Sequence, residues 1–267
     1  MATSTTPTTD MQALFTTMAA FVTSCMSSHD PSHNPAHVYR VVTLARRILA
    51  SEQQQSSSTP QYDPYIIDLA ALLHDIGDRK YTTQIAAVTN TILPGPGSGT
   101  ATAPYIGGSS AKAEANNLDP KRMVQFALQS HGADPILAEK VQTIVSHVSY
   151  TVECAGPHKI CSLIDDGYPE LAIVQDADRL DALGAVGIGR CFTFLGAQGA
   201  KLVPQGGEWD MRNAIDHFGD KLERLEGMMK TETGRDMARL RMQRLKEFRD
   251  WWDEEMSMAT ENPEAPL

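Results

Sequence analysis

The stretch that most constrains this chain is Ala70–Lys80, in which small and branched apolar residues run directly into His74 and Asp75. Burying two ionisable side chains at the end of an apolar helix is costly unless something compensates. A divalent cation compensates well, because neutral imidazole and carboxylate are both good ligands for one. Adjacent helical residues point about 100° apart. His74 and Asp75 can therefore share an ion only with ligands from other helices.

Two further ligands of the right kind stand on apolar stripes at His37 and Asp178. His37 lies at the start of the stripe of a helix that we expect Asn34-Pro35 to begin. Asp178 lies one helical turn after Val174 on another stripe, so we expect it to face the core. A lone carboxylate there would be heavily penalised. The sequence therefore predicts a metal site built from separate helices.

Asp176 and Asp181, on the same helix as Asp178, are expected to have roles other than binding the metal. Asp176 points roughly opposite to Asp178 and should cap a helix or form a salt bridge at the surface. Asp181 lies one turn after Asp178, where it can orient a ligand or accept a hydrogen bond from a water. Two imidazoles and two carboxylates leave positions for water and substrate. We expect one ion, Mn²⁺ first, with Mg²⁺, Fe²⁺ or Co²⁺ as alternatives to it, rather than a structural zinc.

Helical spacing of apolar residues runs through the sequence, and no stretch alternates convincingly between apolar and polar residues, so we expect an all-α fold. Residues 154–168 are rich in turn formers and should form a loop, and Thr231 should cap the last helix. The predicted helices cover residues 11–26, 35–52, 65–77, 120–131, 135–148, 169–184, 186–195, 210–230 and 232–258.

We expect one helical domain over residues 10–260, with tails at 1–9 and 261–267. Residues 89–117 are dominated by glycine, proline, serine, threonine and alanine, which cannot build a core. They should form a surface insertion. A more specific alternative is that they form a lid over the active site.

Composition excludes several classes of partner. The net charge of −10 argues against holding a nucleic acid polymer through its backbone. No apolar run is long enough to span a bilayer, so we expect no membrane partner, and the N-terminus lacks the pattern of a signal peptide. The four cysteines show no CxxC spacing, which favours free thiols in a reducing, cytoplasmic setting.

Four motifs in order resemble the HD-domain superfamily of metal-dependent phosphohydrolases. The likeness spans nearly the whole chain, except the first tail and residues 89–117. It implies a helical bundle with a central metal ion bound by His37, His74, Asp75 and Asp178. The branch that it resembles most contains small bacterial and fungal hydrolases, which implies a small phosphorylated substrate and a nucleotide first. The motifs are His33-x-x-x-His37-Val-Tyr-Arg, His74-Asp-Ile-Gly-Asp-Arg-Lys, Asp176-Ala-Asp-Arg-Leu-Asp181 and His217-Phe-x-x-Lys221-Leu.

The resemblance also suggests catalytic residues. In some nucleotidase relatives an acidic residue three positions after the HD aspartate assists catalysis, and Asp78 occupies that position. Asp78 would position or deprotonate a water that the metal activates. Lys80 is the first candidate for meeting the phosphate. His33 could contact phosphate, act as an acid or cap a loop.

Substrate phosphates need positive partners, and several further residues are candidates. Lys221 lies one helical turn beyond His217, so both can face one cleft. The alternative for His217 and Lys221 is a structural role. The alternative for Arg79 and Arg179 is an ion pair at the surface. His147 could contact one of the metal ligands without touching the metal itself, or it could bind a second metal. The full set expected near the substrate is Arg79, Arg179, Asp181, His217, Lys221 and His147.

Two rival functions stay open. Some relatives bind two irons through extra histidines before the last aspartate and oxygenate their substrates. In this interval His131 and His147 are sixteen positions apart, and His131 lies at a helix C-terminus, where the helix dipole stabilises an imidazolium; hydrolysis with one metal is therefore favoured. The other rival is a regulatory HD protein that binds nucleotide without turnover. A homodimer through the C-terminal helices, or their folding back onto the bundle, would explain their Met and Trp stripes equally well.

Replacing Asp78 by asparagine should lower turnover by about 10²–10⁴-fold, because general-base assistance is lost. The metal should be retained, because the four predicted metal ligands are unchanged. Phosphate release and elemental analysis of the same preparation measure the two effects. Unchanged turnover would reject a catalytic role for Asp78.

Overall fold

The computed structural model describes residues 10–26, 30–55, 61–76, 120–202, 207 and 210–260, and most of these residues are helical, with no strand among them. Short 3-10 turns cover Pro31–His33, Pro120–Arg122, Leu222–Arg224 and Glu226–Met228. The helices are α1 (Met11–Met26), α2 (Pro35–Gln55), α3 (Pro64–Leu73), α4 (Met123–Ser130), α5 (Pro135–Val145), α6 (Tyr150–Ala155), α7 (Pro157–Asp165), α8 (Glu170–Asp181), α9 (Gly184–Leu202), α10 (Arg212–Asp220) and α11 (Glu232–Thr260).

Three helices begin at the caps that the sequence predicts. Side-chain oxygens of Asn34, Asp63 and Asp134 accept hydrogen bonds, at 2.8–3.1 Å, from the backbone N–H two residues further on. Each cap is followed by a proline, whose missing N–H costs nothing at the first helical position. These caps set where α2, α3 and α5 begin, and hence where His37 lies.

Helix α3 lies at the centre of the bundle. It packs against α1, α2, α5 and α8, and every residue of Leu69–Leu73 is buried. A helix that is apolar all round belongs in a core. Helix α3 ends at Leu73, and His74 follows in the turn after it rather than inside the helix as predicted.

Helix α8 is buried on nearly every side, between α2 and α3 on one side and α11 on another. Asp178 is its least buried residue, with a side chain 29% exposed, so it does not face the core as predicted. Asp176 was expected at the surface and is fully buried. It accepts hydrogen bonds from the N–H groups of Lys230 and Thr231 and from the Thr231 hydroxyl. Asp176 is a cap after all, but an internal one, because α11 covers that side of α8.

Two predicted segments differ from the structure. Residues 154–168 form parts of α6 and α7 rather than a loop, because Gly156-Pro157 divides one helix from the next and the proline occupies the first helical position of α7. The predicted helix 210–230 ends at Asp220 and continues as 3-10 turns, which bury Leu222 and Leu225. The Thr231 cap is confirmed, since its hydroxyl accepts a hydrogen bond from the N–H of Gly234.

Other expectations fall outside the part of the chain that the structure describes: the two tails at 1–9 and 261–267, and the insertion 89–117. As for the membrane, no described helix by itself is long and apolar enough to cross one. Helix α8 and residues 184–199 pass that test only together, as a pair bent by 70°.

Gly234→Ala should destabilise the protein, because a Cβ there would lie 2.3 Å from Asp176 Oδ2 and 2.7 Å from Thr231 Oγ1. We expect urea denaturation to show a loss of about 1–3 kcal/mol in the free energy of unfolding. Gly189→Ala in α9 is the matched control, since its Cβ would meet nothing within 4 Å. That change should leave stability unchanged or raise it by up to about 1 kcal/mol. Similar losses in both variants would contradict the close contact.

Candidate metal centre

Four donor atoms converge where α2, α8 and the turn after α3 meet. The Nε2 atoms of His37 and His74 lie 3.2 Å apart, and each lies 3.6 Å from Asp178 Oδ1. Asp75 Oδ2 lies 3.7 Å from the first nitrogen and 3.8 Å from the second. Two ligands that share one ion at about 2.1 Å and roughly 90–110° are separated by about 3.0–3.4 Å. The structure thus brings three of the predicted ligands, His37, His74 and Asp178, together at nearly that spacing, and Asp75 lies slightly farther from both rings.

The two histidines are held so that their Nε2 atoms face each other. Nδ1 of His37 lies 2.8 Å from Asp181 Oδ2, and Nδ1 of His74 lies 2.8 Å from the carbonyl oxygen of Ala71. A carboxylate and a carbonyl only accept, so each Nδ1 donates, and in a neutral ring Nε2 then carries the lone pair. Two lone pairs cannot hydrogen bond to each other, and a cation between them satisfies both. The donor set therefore fits a divalent metal ion.

Asp181 is the buried anchor of this arrangement. It is 1% exposed and accepts hydrogen bonds from Arg40 at 2.7 and 2.9 Å and from Arg190 at 3.0 Å, besides the one from His37. Burial alone would raise the pKa of Asp181, but the hydrogen bonds with His37 and Arg40 and the charge of Arg190 outweigh it and hold that pKa well below its ordinary value. The expectation of substrate contact is therefore wrong for Asp181: its oxygens are used, and it orients His37.

His37 is neutral in this setting. Burial lowers the pKa of His37, the hydrogen bond with Asp181 opposes that effect, and the charge of Arg190 lowers the pKa further. A neutral imidazole is the form that binds a metal ion. The same contacts thus fix both the orientation and the protonation state of the ring.

The donors open onto a cavity of about 830 Å³, a volume within the range of small-molecule sites. Its described wall includes His33, Arg179, Arg190 and Lys221, three of which were predicted near the substrate or the chemistry. Arg190 was not predicted. Arg190 lies nine positions after Asp181 in the sequence. Its side chain reaches the Asp181 carboxylate because the chain bends by 70° between α8 and α9. Arg40 was missed too, although it stands one turn after His37 on α2.

Comparison with known proteins agrees with this architecture. No family model matches the chain. The uncharacterised protein YpgQ of Bacillus subtilis is 29% identical over 218 residues, which cover 82% of each chain. Its crystal structure matches with a TM-score of 0.59 at 27% identity, over 92% of this chain and 96% of that one. YpgQ in complex with ADP matches over the same shares with a TM-score of 0.57 at 26% identity.

A further solved structure shares the fold. An HD-superfamily hydrolase from Bacillus thuringiensis matches with a TM-score of 0.56 at 23% identity, over 92% of this chain and 98% of that one. The fold of this chain is therefore similar to that of an HD-superfamily hydrolase. The dipeptide His74-Asp75, which carries the resemblance in sequence, lies at the end of the buried helix α3.

Among the residues predicted near the chemistry, His33 and Arg179 line the cavity together with Lys221. The ring of His33 stands edge-on to that of His37, with centroids 6.5 Å apart, and its Nδ1 lies 2.7 Å from the Ser32 hydroxyl. Arg179 is only 3% exposed and forms an ion pair with Glu153. The alternative of a surface ion pair is therefore wrong for Arg179, because the pair is internal.

Two other predicted residues do not line the cavity. His147 lies in the turn after α5, and its Nδ1 is 2.7 Å from the carbonyl oxygen of Thr143 in that helix. His217 is half-buried, and burial, followed by the charge of Lys221, lowers its pKa. The expectation that His217 and Lys221 face one cleft is wrong, because α10 ends at Asp220 and Lys221 leaves the helical path with φ −133°. Asp78, Arg79 and Lys80 lie outside the described residues.

Asp181→Asn should flatten the acid side of the stability profile. The folded-state pKa of Asp181 lies below the value of about 3.9 of an unfolded aspartate, so its contribution is present above that pH and is lost as the pH falls below it. We expect wild-type protein to lose more free energy of unfolding than the variant between about pH 5 and pH 2 in urea titrations.

Asp68→Asn is the matched control, because Asp68 pairs with an exposed Arg46 at 2.7 Å. Its loss at neutral pH should stay within about 1 kcal/mol, with an acid profile like that of the wild type. Parallel profiles for wild type and Asp181→Asn would contradict the role given to Asp181.

Proposed function

We propose that this protein is a divalent-metal-dependent phosphohydrolase that cleaves phosphate ester or phosphoanhydride bonds, with a nucleotide as the first candidate substrate. The observation that carries the proposal is the convergence of the donor atoms of His37, His74, Asp75 and Asp178 at the wall of an open cavity. The HD-superfamily hydrolase of similar fold supports hydrolysis, and YpgQ in complex with ADP supports a nucleotide.

The four donors would hold one ion, and their mixed nitrogen and oxygen set suits Mn²⁺ first, with Mg²⁺, Fe²⁺ or Co²⁺ as alternatives. When bound, such a cation supplies Lewis acidity to a water nucleophile and neutralises charge on phosphoryl oxygens. Asp181 keeps His37 in the tautomer that directs its lone pair to this point, and the carbonyl of Ala71 does the same for His74.

Cationic side chains of the cavity would bind the phosphates. Arg190 is 16% exposed and stands beside the donors through its contact with Asp181, so we assign it, with Lys221, to phosphate oxygens. His33 would meet the leaving-group oxygen as a hydrogen-bond donor or as the acid that protonates it. From the sequence pattern, Asp78 would position or deprotonate the attacking water, and Arg79 and Lys80 would add positive charge near the phosphate.

The setting proposed for this activity is the cytoplasm, since Cys25, Cys154, Cys161 and Cys191 are all free thiols. The net charge of −10 fits a small substrate better than a nucleic acid polymer. Helix α11 folds back onto α8 and α9, as one of the two sequence alternatives had it. A homodimer through its outer face, where Leu240, Trp251 and Met258 are exposed, remains our proposal for assembly.

His74→Ala should remove stoichiometric metal and lower phosphate release by more than about 100-fold, because one of two facing nitrogen ligands is lost. Elemental analysis and a phosphate and pyrophosphate screen over nucleotides, with Mn²⁺, Mg²⁺ and Co²⁺, measure both effects. His147→Ala is the matched control: that ring does not line the cavity, so metal and turnover should match the wild type.

Several outcomes of this experiment would change the assignment. Full metal content and turnover in His74→Ala would reject the site. Two metals per wild-type chain together with oxygen consumption would indicate an oxygenase. Nucleotide affinity without phosphate or pyrophosphate release in any metal would indicate a regulatory protein.

A further inference from the structure

An aromatic face and a positive charge are held together in the cavity that contains the donors. Tyr150, the first residue of α6, lies in the cavity wall, and so does Lys221. The Lys221 ammonium lies over the Tyr150 ring, 5.2 Å from its centroid. Both side chains are half-buried. Because these two side chains contact each other in the wall, a ligand group that reaches this part of the cavity meets both the aromatic ring and the ammonium.

Aliphatic side chains in the same wall continue this surface. Val148 and Leu225 are buried, at 3% and 1% exposed, and Val152 is partly exposed. Val148 and Val152 flank Tyr150 in the chain, and Leu225 lies one turn after Lys221. A wall made of an aromatic ring and aliphatic groups suits a flat, weakly hydrated group better than a polyol, which must keep its hydroxyls hydrogen-bonded.

We propose that Tyr150 determines substrate specificity by stacking on a heteroaromatic ring, while Lys221 beside it meets the phosphate to which that ring is linked. The inference rests on the proposed function and narrows it: the substrate class is a nucleoside di- or triphosphate, rather than a sugar phosphate or an inorganic polyphosphate. Stacking of a base on an aromatic side chain changes affinity by about tenfold or more. The ring is therefore expected to matter for nucleotides and not for bare phosphates.

A comparison of two ligands that differ only in the nucleoside tests this inference. Calorimetric titration of the full-length, Mn²⁺-loaded protein would give Kd for ADP and for inorganic pyrophosphate. In Tyr150→Leu we expect the Kd for ADP to rise about tenfold or more and that for pyrophosphate to change by less than about twofold. Tyr150→Phe keeps the ring and should bind both ligands as the wild type does.

The outcomes separate this inference from the proposed function. Equal weakening for ADP and pyrophosphate, or unchanged ADP affinity, would overturn the stacking role and leave the Lys221 contact as a structural one. Wild-type protein that binds pyrophosphate and not ADP would also overturn it, without touching phosphohydrolysis. Wild-type protein that binds ADP but releases no phosphate or pyrophosphate would overturn the proposed function, and the ratio of the two affinities would still decide the role of Tyr150. Tyr150→Met provides the same comparison if thermal unfolding shows that Tyr150→Leu is not folded.

Discussion

Two imidazole nitrogens that face each other at 3.2 Å are the arrangement on which the rest of this structure depends. Left alone, neutral rings in these tautomers would turn away from each other, because neither Nε2 carries a proton to donate. They are held by partners at Nδ1: a carbonyl of the buried helix α3 for His74 and the carboxylate of Asp181 for His37. Fixed dipoles and packing thus keep a place for positive charge, and two carboxylates complete it.

Helix α8 shows how one element carries two buried carboxylates with opposite electrostatic outcomes. Asp181 is surrounded by two guanidinium groups and an imidazole, which outweigh burial and lower its pKa. Asp176 is met by neutral N–H and hydroxyl donors at the start of α11, and burial prevails and raises its pKa. The first carboxylate ties α8 to α2 and α9 at the candidate metal centre, and the second ties it to α11. The two carboxylates, with their structural and chemical roles, stand five positions apart on one helix.

Much of the fold and the donor set could be predicted, because each rests on local patterns. Proline after Asn34, Asp63 and Asp134 marks helix starts, and apolar stripes at helical spacing identify the faces that pack. The same reasoning failed for Asp176 and for residues 154–168. Periodicity identifies the face of a helix but not which other helix covers it, so a second buried face looks like a surface. A glycine and a proline look like a loop even where they only separate two helices.

The sequence by itself determined that the chain is all-α and which four residues are the candidate metal ligands. Helix caps, apolar stripes and ligand chemistry depend on neighbours within a turn or two, so they can be read from the sequence. Only the tertiary structure decided what surrounds those four residues. Arg190 reaches Asp181 because α9 bends back by 70°, and Lys221 lies over Tyr150 because the chain changes direction where α10 ends. Such contacts depend on the angles between elements, and no local pattern of residues encodes an angle between helices.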